Sequence, residues 1–480
     1  MARGLKTGRW RAGTLGLVAG GLALLAHAQE ASAGGAARAD QAAPAEIVRA
    51  NDDKRCHAYG PGYIAVGGSG LCATTGGSVL LSAAMEFTHR DLFLTGQRIP
   101  TMYTPGPGVP IVYYDIEDVR KQTRYPSAGV VASAYLMLRG ESDLGMVRGF
   151  LQITGDAQTR YERDGDLILE LRKTDDSYYL GAIEEAWVQL NGLKVGVQQS
   201  LFGFNRLPSV VTPGYTSIIT TMAASYTQRL ERNASFSLAL EDSGRRTYGD
   251  GILARPTRSG MPDIVAMARI ATPSTLYHVS GALHHVEDEV AKAFTGDRDR
   301  SVWGWAWSAG LQSRVKWEDI IGEHGKGAFG RAGLSVAYAS GAMGYLGIPF
   351  FAADYVTGDD GVVHKSTGWS ALASYEHMLT PRVKLNFNAS LFDITMRGGP
   401  DALIPDAEPG IATMPGLDFQ VDVRGAVLQA GVEVVPRSGM VLGLEAGYTL
   451  TDAKGRYVGI EGDRRSVGYP HIGAYLRHSF

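Results

Sequence analysis

Cys56 and Cys72 are the only thiols in the 480-residue chain. Two thiols alone cannot complete a structural zinc site, which takes four ligands. They lie close together behind an export signal, so a disulfide closing a small loop is the natural reading, with two reduced thiols as the alternative. A second group of ligand-type side chains is His284, His285, Glu287 and Asp288, within His-His-Val-Glu-Asp-Glu. Its spacing is not the His-Glu-x-x-His of a helical zinc site, and it reads as a solvated loop tip. No Gly-x-Ser-x-Gly nucleophile elbow and no phosphate loop occurs. The expectation is therefore no catalytic residue, no metal and no cofactor. What remains is electrostatic chemistry, carried by Arg148, Lys194, Gln198, Arg206, Arg269, Asp422 and Arg424. Such groups act on a passing solute only if a wall points them at water.

The elements that would form that wall begin after a targeting segment. Arg3, Lys6, Arg9 and Arg11 precede an apolar run over 12–26, and Ala26-His27-Ala28 has the small-x-small form of a cleavage site. Residues 1–28 are read as a signal peptide, with cleavage after 33 as the other option. Its removal leaves 42 basic and 49 acidic residues, a net of −7 with no basic stripe, which argues against a nucleic-acid partner. Beyond the signal no apolar run reaches the ~18 residues of a spanning helix. Residues 29–76 read as a lead-in, flexible at first and then carrying the disulfide loop.

From 77 to 480 the pattern has period two. In 382–391 Val383, Leu385, Phe387 and Leu391 alternate with Arg382, Lys384, Asn386, Asn388 and Ser390. In 441–450 Leu442, Leu444, Ala446, Tyr448 and Leu450 alternate with Gly443, Glu445 and Thr449. Sixteen such segments are predicted as strands: 78–87, 130–139, 146–154, 181–190, 193–199, 218–229, 233–241, 263–271, 276–285, 303–313, 329–340, 368–378, 382–394, 418–434, 439–450 and 467–480. Alternation alone also suits a soluble secreted β-sandwich. The connections decide between them. They run long, short, long, short, with Asn191-Gly192 among the short ones and 314–328 the single exception. Short periplasmic turns alternating with long outer loops are what an even-stranded bacterial barrel needs. The predicted fold is all-β: a 16-stranded antiparallel transmembrane β-barrel.

Strand parity then sorts side chains. Arg148, Lys194, Gln198, Arg269, Asp422 and Arg424 are predicted to face water, as are Tyr135 and Trp187. The last two would suit stacking in a substrate-specific channel or binding barrel, the alternative to passive diffusion. Near Gly425 the polar set moves from even to odd positions, which suggests a β-bulge. Phe87, Tyr448 and Phe480 point outward, where aromatic girdles form. The chain ends on the aromatic Phe480, expected to be an assembly signal.

Residues 54–72, KRCHAYGPGYIAVGGSGLC, resemble the N-terminal signature of alphaproteobacterial (Rhizobiales-type) porins. EAWVQLNGLKVGV, MPDIVAMAR, HVSGALHHV, AYASGAMGYLG and the terminal YLRHSF resemble further stretches of that family in the same order. The resemblance implies an outer-membrane homotrimer embedded in lipid and lipopolysaccharide. It passes small hydrophilic solutes and ions by diffusion, and its third outer loop folds inward. Two departures stand out. Basic residues usual after the second Cys are replaced by Ala73, Thr74 and Thr75, and the third loop over 200–217 holds Arg206 but no acid. Arg148, Lys194 and Arg206 are expected to form a basic side of the eyelet.

Overall fold

The computed structural model describes residues 56–66, 70–86, 98–101, 112–115, 127–161, 167–171, 173–174, 177–178, 182–204, 215, 217–246, 261–287, 301–316, 329–348, 354–357, 363–400, 418–456 and 465–480. Among them no helix is long and apolar enough to cross a membrane. The main sheet carries sixteen long strands: β1 (Leu71–Glu86), β2 (Ser127–Ser142), β3 (Gly145–Tyr161), β4 (Ala182–Leu190), β5 (Leu193–Gln199), β6 (Thr220–Arg229), β7 (Ala234–Glu241) and β8 (Asp263–Ala271). These are followed by β9 (Thr275–Glu287), β10 (Ser301–Lys316), β11 (Phe329–Ser340), β12 (Thr367–Thr380), β13 (Val383–Pro400), β14 (Asp418–Arg437), β15 (Met440–Arg456) and β16 (Arg465–Ser479). Each pairs antiparallel with its sequence neighbours. β1 pairs both β2 and β16, so the sheet closes. Closure satisfies every ladder and leaves no edge for lipid to strip of hydrogen bonds.

All sixteen predicted strands are present. The side chains separate as period two requires. Leu428 and Leu444 are exposed at 57% and 58%, while their neighbours Gln429 and Glu445 are buried at 6% and 3%. A sheet that exposes its leucines and buries its carboxylates is inside out for water and correct for a bilayer. Trp303, Trp305 and Trp307 of β10 are exposed on the outer surface. Trp307 pairs with Tyr338, which pairs with Trp369, giving an aromatic band across β10–β12.

The first strand starts earlier than the sequence suggests. The barrel is expected to begin at 77 and its first strand at 78, yet β1 is already paired with β2 at Leu71. Gly76 and Gly77 are strand residues covered by rings. A Cβ at 76 would meet the Tyr135 hydroxyl at 2.5 Å, and one at 77 would meet Phe480 at 2.8 Å. Packing supplied from elsewhere compensates for the missing side chains. At Gly77 the backbone also exchanges hydrogen bonds with Phe480, so the C-terminal residue closes the seam. At the β4–β5 turn Asn191 has φ +52°, as an Asn-Gly hairpin turn requires.

Two other expectations are corrected. Pairing of β14 with β13 runs without a shift from Gln420 to Val434, so Gly425 marks no bulge. His284 and His285 form no solvated tip, because β9 continues to Glu287 and both histidines are buried. Asp288, Phe87 and the connection 317–328 lie outside the described residues.

Before the barrel, a 3-10 turn (Cys56–Tyr59) and a short strand (Ile64–Val66) precede β1. The Cys56–Cys72 disulfide is formed, with Cα atoms 5.5 Å apart. The short strand pairs with residues 71–73 of β1 on the same edge as β16, which itself pairs only with residues 78–86.

Candidate functional site

The lumen is the candidate site, and two loops narrow it. The described residues of the third loop pack inside the barrel. At its start Phe202 meets β9, where its carbonyl accepts from Ser280 Oγ at 2.9 Å. Phe204 stacks on His278 at 4.7 Å. Farther along, Tyr215 packs edge-on against Phe392 of β13 at 4.6 Å. The sixth loop contributes a 3-10 turn (Met343–Leu346), all four residues of which are buried. Met343, Tyr345 and Leu346 join Phe202, Tyr215 and wall residues such as Ile394, Met396 and Val423 in one apolar cluster inside the barrel. Burying that surface is what holds the loops down.

Polar groups under the cluster fix its geometry. Arg246, 2% exposed, donates to Ser217 O at 3.0 Å, Gly344 O at 3.4 Å and Ser200 Oγ at 2.6 Å. Its guanidinium lies 4.2 Å from the Tyr345 ring centroid. Glu241 accepts the Leu201 N–H at 2.9 Å. Asp263 takes His284 Nδ1 at 2.7 Å on one oxygen and the Tyr345 hydroxyl at 2.6 Å on the other. Burial pushes the Tyr345 phenol well above its ordinary value, which keeps it a donor. Tyr345→Phe is expected to leave that Asp263 oxygen unpaired at a cost of about 1–3 kcal/mol. A lower unfolding midpoint in urea, with the barrel's strand content retained, would show it. Among the described residues no group of three ligand-type side chains is arranged for a metal ion.

The wall below the loops carries both charges. Arg139, Arg148, Gln189 and Lys194 occupy one cross-strand row on β2 to β5. Arg269 extends the basic side on β8. Arg148, Lys194, Gln198 and Arg269 border a lumen cavity of about 590 Å³. Lys194 Nζ sits 4.3 Å from the Trp187 ring centroid, and Arg269 Nε donates to His278 Nδ1 at 3.2 Å. Arg148 contacts only Met146 Sδ, at 3.2 and 3.3 Å. Among the described residues none of these cations is ion-paired to a carboxylate.

Acids occur on both parts of the wall: Glu184 and Glu185 lie on β4, where Glu184 accepts from Gln152 Nε2 at 2.6 Å and Glu185 from Trp187 Nε1 at 3.2 Å, and Glu376, Glu433 and Glu445 lie on β12, β14 and β15. Two of the last three share Lys384. Lys384 Nζ lies 2.8 Å from Glu433 and 3.7 Å from Glu376. Glu433 also accepts from Tyr475 Oη at 2.7 Å and Asn386 Nδ2 at 3.1 Å. Glu445 accepts from Gln429 at 2.8 Å.

The remaining predicted residues divide. Gln198 is 1% exposed, and its amide is engaged with Ala223 O and Ser225 Oγ, so it braces the wall. Tyr135, Phe150 and Trp187 form a ladder at 6.0 and 5.7 Å, their faces covered by one another and by Lys194. They stiffen the basic wall and offer no open face to a sugar. Asp422 and Arg424 share the outward face of β14 with Leu428, contrary to the parity prediction. Arg424 bonds Asp393 at 2.7 Å, also outward. β13, β14 and β15 have 18, 20 and 17 residues, against about 9–11 needed to cross. Their outer ends stand above the bilayer, where outward charges cost little. Arg206 lies outside the described residues. Arg139, Arg246, Asp263 and Tyr345 were not singled out from sequence, and His284 was read as part of a solvated loop tip. Arg139 shares the inward parity of Tyr135, and that signal was visible.

A family model described as a porin subfamily matches residues 39–463. No curated protein matches the sequence. Among solved structures the chain resembles the outer-membrane channel DcaP of Acinetobacter baumannii at 12% identity. The match covers 86% of this chain and 99% of that one, with a TM-score of 0.55. OprB of Pseudomonas putida is similar at 10% identity, covering 85% and 94%, with a TM-score of 0.44.

Proposed function

This chain belongs to the porin subfamily, and on that premise we propose a selectivity and an assembly for a protein that is an outer-membrane channel for passive diffusion. Small hydrophilic solutes pass through a lumen narrowed by the third and sixth loops, and small anions pass more readily than cations. One observation carries the sign: among the described residues Arg139, Arg148 and Lys194 make no ion pair, the nearby Glu185 accepting instead from Trp187 Nε1, whereas Glu433 and Glu376 are drawn to Lys384. An uncompensated charge sets the local field, and in a confined lumen that field decides which ion enters. An alphaproteobacterial origin is supported by the resemblance of the N-terminal signature over 54–72. The working form is a homotrimer in lipid and lipopolysaccharide, exported by the N-terminal signal and without enzymatic activity. Phe480 serves as the assembly signal, consistent with its place at the barrel seam.

The test is an Arg148→Ala/Lys194→Ala double variant in planar bilayers under a KCl gradient. Steps in groups of three are expected from both proteins, with the variant's reversal potential displaced toward cation preference. An unchanged reversal potential would remove the basic row from selectivity.

A further inference from the structure

We propose that the periplasmic end of the lumen holds a binding site for a compact multivalent oxyanion, formed by Arg139, Arg148 and Lys194, with Tyr63 of the disulfide-held N-terminal segment as its floor. This rests on the anion preference above and adds a site and a ligand class to it.

Register provides the first argument. Cys72, Arg139, Arg148, Gln189 and Lys194 are successive cross-strand partners from β1 to β5. Neighbouring strands lie roughly 4.7–4.9 Å apart, so the three cations share one short row on the lumen face. Arg139 and Arg148 are directly opposite, and like charges so placed destabilise a sheet. Arg139 Nε is also buried without a hydrogen-bond partner. A bound anion relieves both costs at once.

The second argument is that Arg139 is held in place from the N-terminal side. Cys72 shares the lumen face of β1 with Ser78, whose Oγ meets Ser133 Oγ at 2.9 Å. The disulfide therefore draws residues 56–63 over the inner side of β1 and β2. There Tyr63, 9% exposed, donates its hydroxyl to Met137 Sδ at 2.9 Å. The Arg139 guanidinium carbon lies 5.4 Å from the Tyr63 ring centroid. The staple, the ring and the cation form one chain of contacts, and the segment is built into the mouth of the channel.

The chemistry selects the ligand. A guanidinium presents paired N–H donors that match two oxygens of one anion. Two such forks and an ammonium in a row suit a small oxyanion with several charged oxygens, which chloride cannot imitate. Arg148 gives up only a weak sulfur acceptor to reach it.

The test uses the full chain, purified in detergent and inserted in planar bilayers with KCl, with inorganic phosphate as the probe. Phosphate is expected to reduce the chloride-carried current saturably. Half-block should require at least about tenfold more phosphate in Arg139→Ala. Arg139→Lys should keep the reversal potential and still lose most of the block, because it keeps the charge and loses the fork. Dithiothreitol added to wild-type channels already inserted, which reduces the Cys56–Cys72 disulfide to two thiols and itself becomes the cyclic disulfide, should weaken the block without any question of folding, and Tyr63→Ala should weaken it likewise. An anion-preferring channel whose current falls only linearly with phosphate, or equally in wild type and Arg139→Ala, overturns the site alone. A cation-preferring wild type overturns the selectivity reading beneath it.

Discussion

Arg246→Ala is expected to destabilise the protein by roughly 3–5 kcal/mol, the cost of removing one buried charge from a closed polar network. The side chain is fully enclosed and ties the third loop, through Ser200 and Ser217, to the sixth loop at Gly344. Its loss strands two carbonyls and a hydroxyl and leaves Glu241 without a nearby cation. The barrel ladder is untouched, so damage should fall first on the loops. Urea unfolding in lipid vesicles should show the lower stability. Single-channel traces should show larger and noisier openings as the two loops leave the lumen. A variant with wild-type stability and quiet wild-type conductance would mean that the apolar cluster alone holds the loops.

The second large effect tests the membrane-facing parity. Leu444 is exposed on the outer face of β15, beside Val432 and Ala474 on its partner strands. Leu444→Arg is expected to cost about 2–4 kcal/mol, because the guanidinium meets acyl chains. The next residue, Glu445, carries a full charge without that penalty, since it turns inward and accepts from Gln429. Unfolding free energies of the variant in vesicles check this. No destabilisation would place that face of β15 against water or a polar partner.

Most of the wall was legible in the sequence because one physical rule generates it. A barrel strand must alternate, and the alternation of Leu442, Leu444 and Ala446 with Gly443 and Glu445 carries the orientation directly. Where the rule failed, it assumed that strands end at the bilayer. Asp422 and Arg424 break the alternation of β14, and a bulge seemed necessary to return them to the lumen. The strand instead continues past the membrane, and Arg424 meets Asp393 there. The start of the first strand was missed for a different reason. Gly76 and Gly77 offer no side chains to alternate, and the rings that cover them come from Tyr135 and Phe480. The loop network was not legible at all. Arg246, Asp263 and Tyr345 lie on a loop, a strand end and another loop, and no periodicity links them. Their association arises from loops folding inward and seeking buried partners. The His284 cluster shows the same limit: its composition read as a solvated loop tip, and only Asp263 and Asp354 explain why a histidine is buried there.

The pairing of charge gives this account its functional content. Acids outnumber bases in the chain as a whole, and bulk charge would suggest a preference for cations. The proposed selectivity reverses that, because Glu433 and Glu376 share Lys384 while Arg139, Arg148 and Lys194 make no ion pair among the described residues. The measurement that tests it most directly is the zero-current potential of the wild-type protein in a planar bilayer separating concentrated from dilute KCl. A potential with the sign of chloride permeating faster is the predicted result. The opposite sign, from channels opening in stable steps, would contradict the account and give control of the lumen to the acids of β12 to β15.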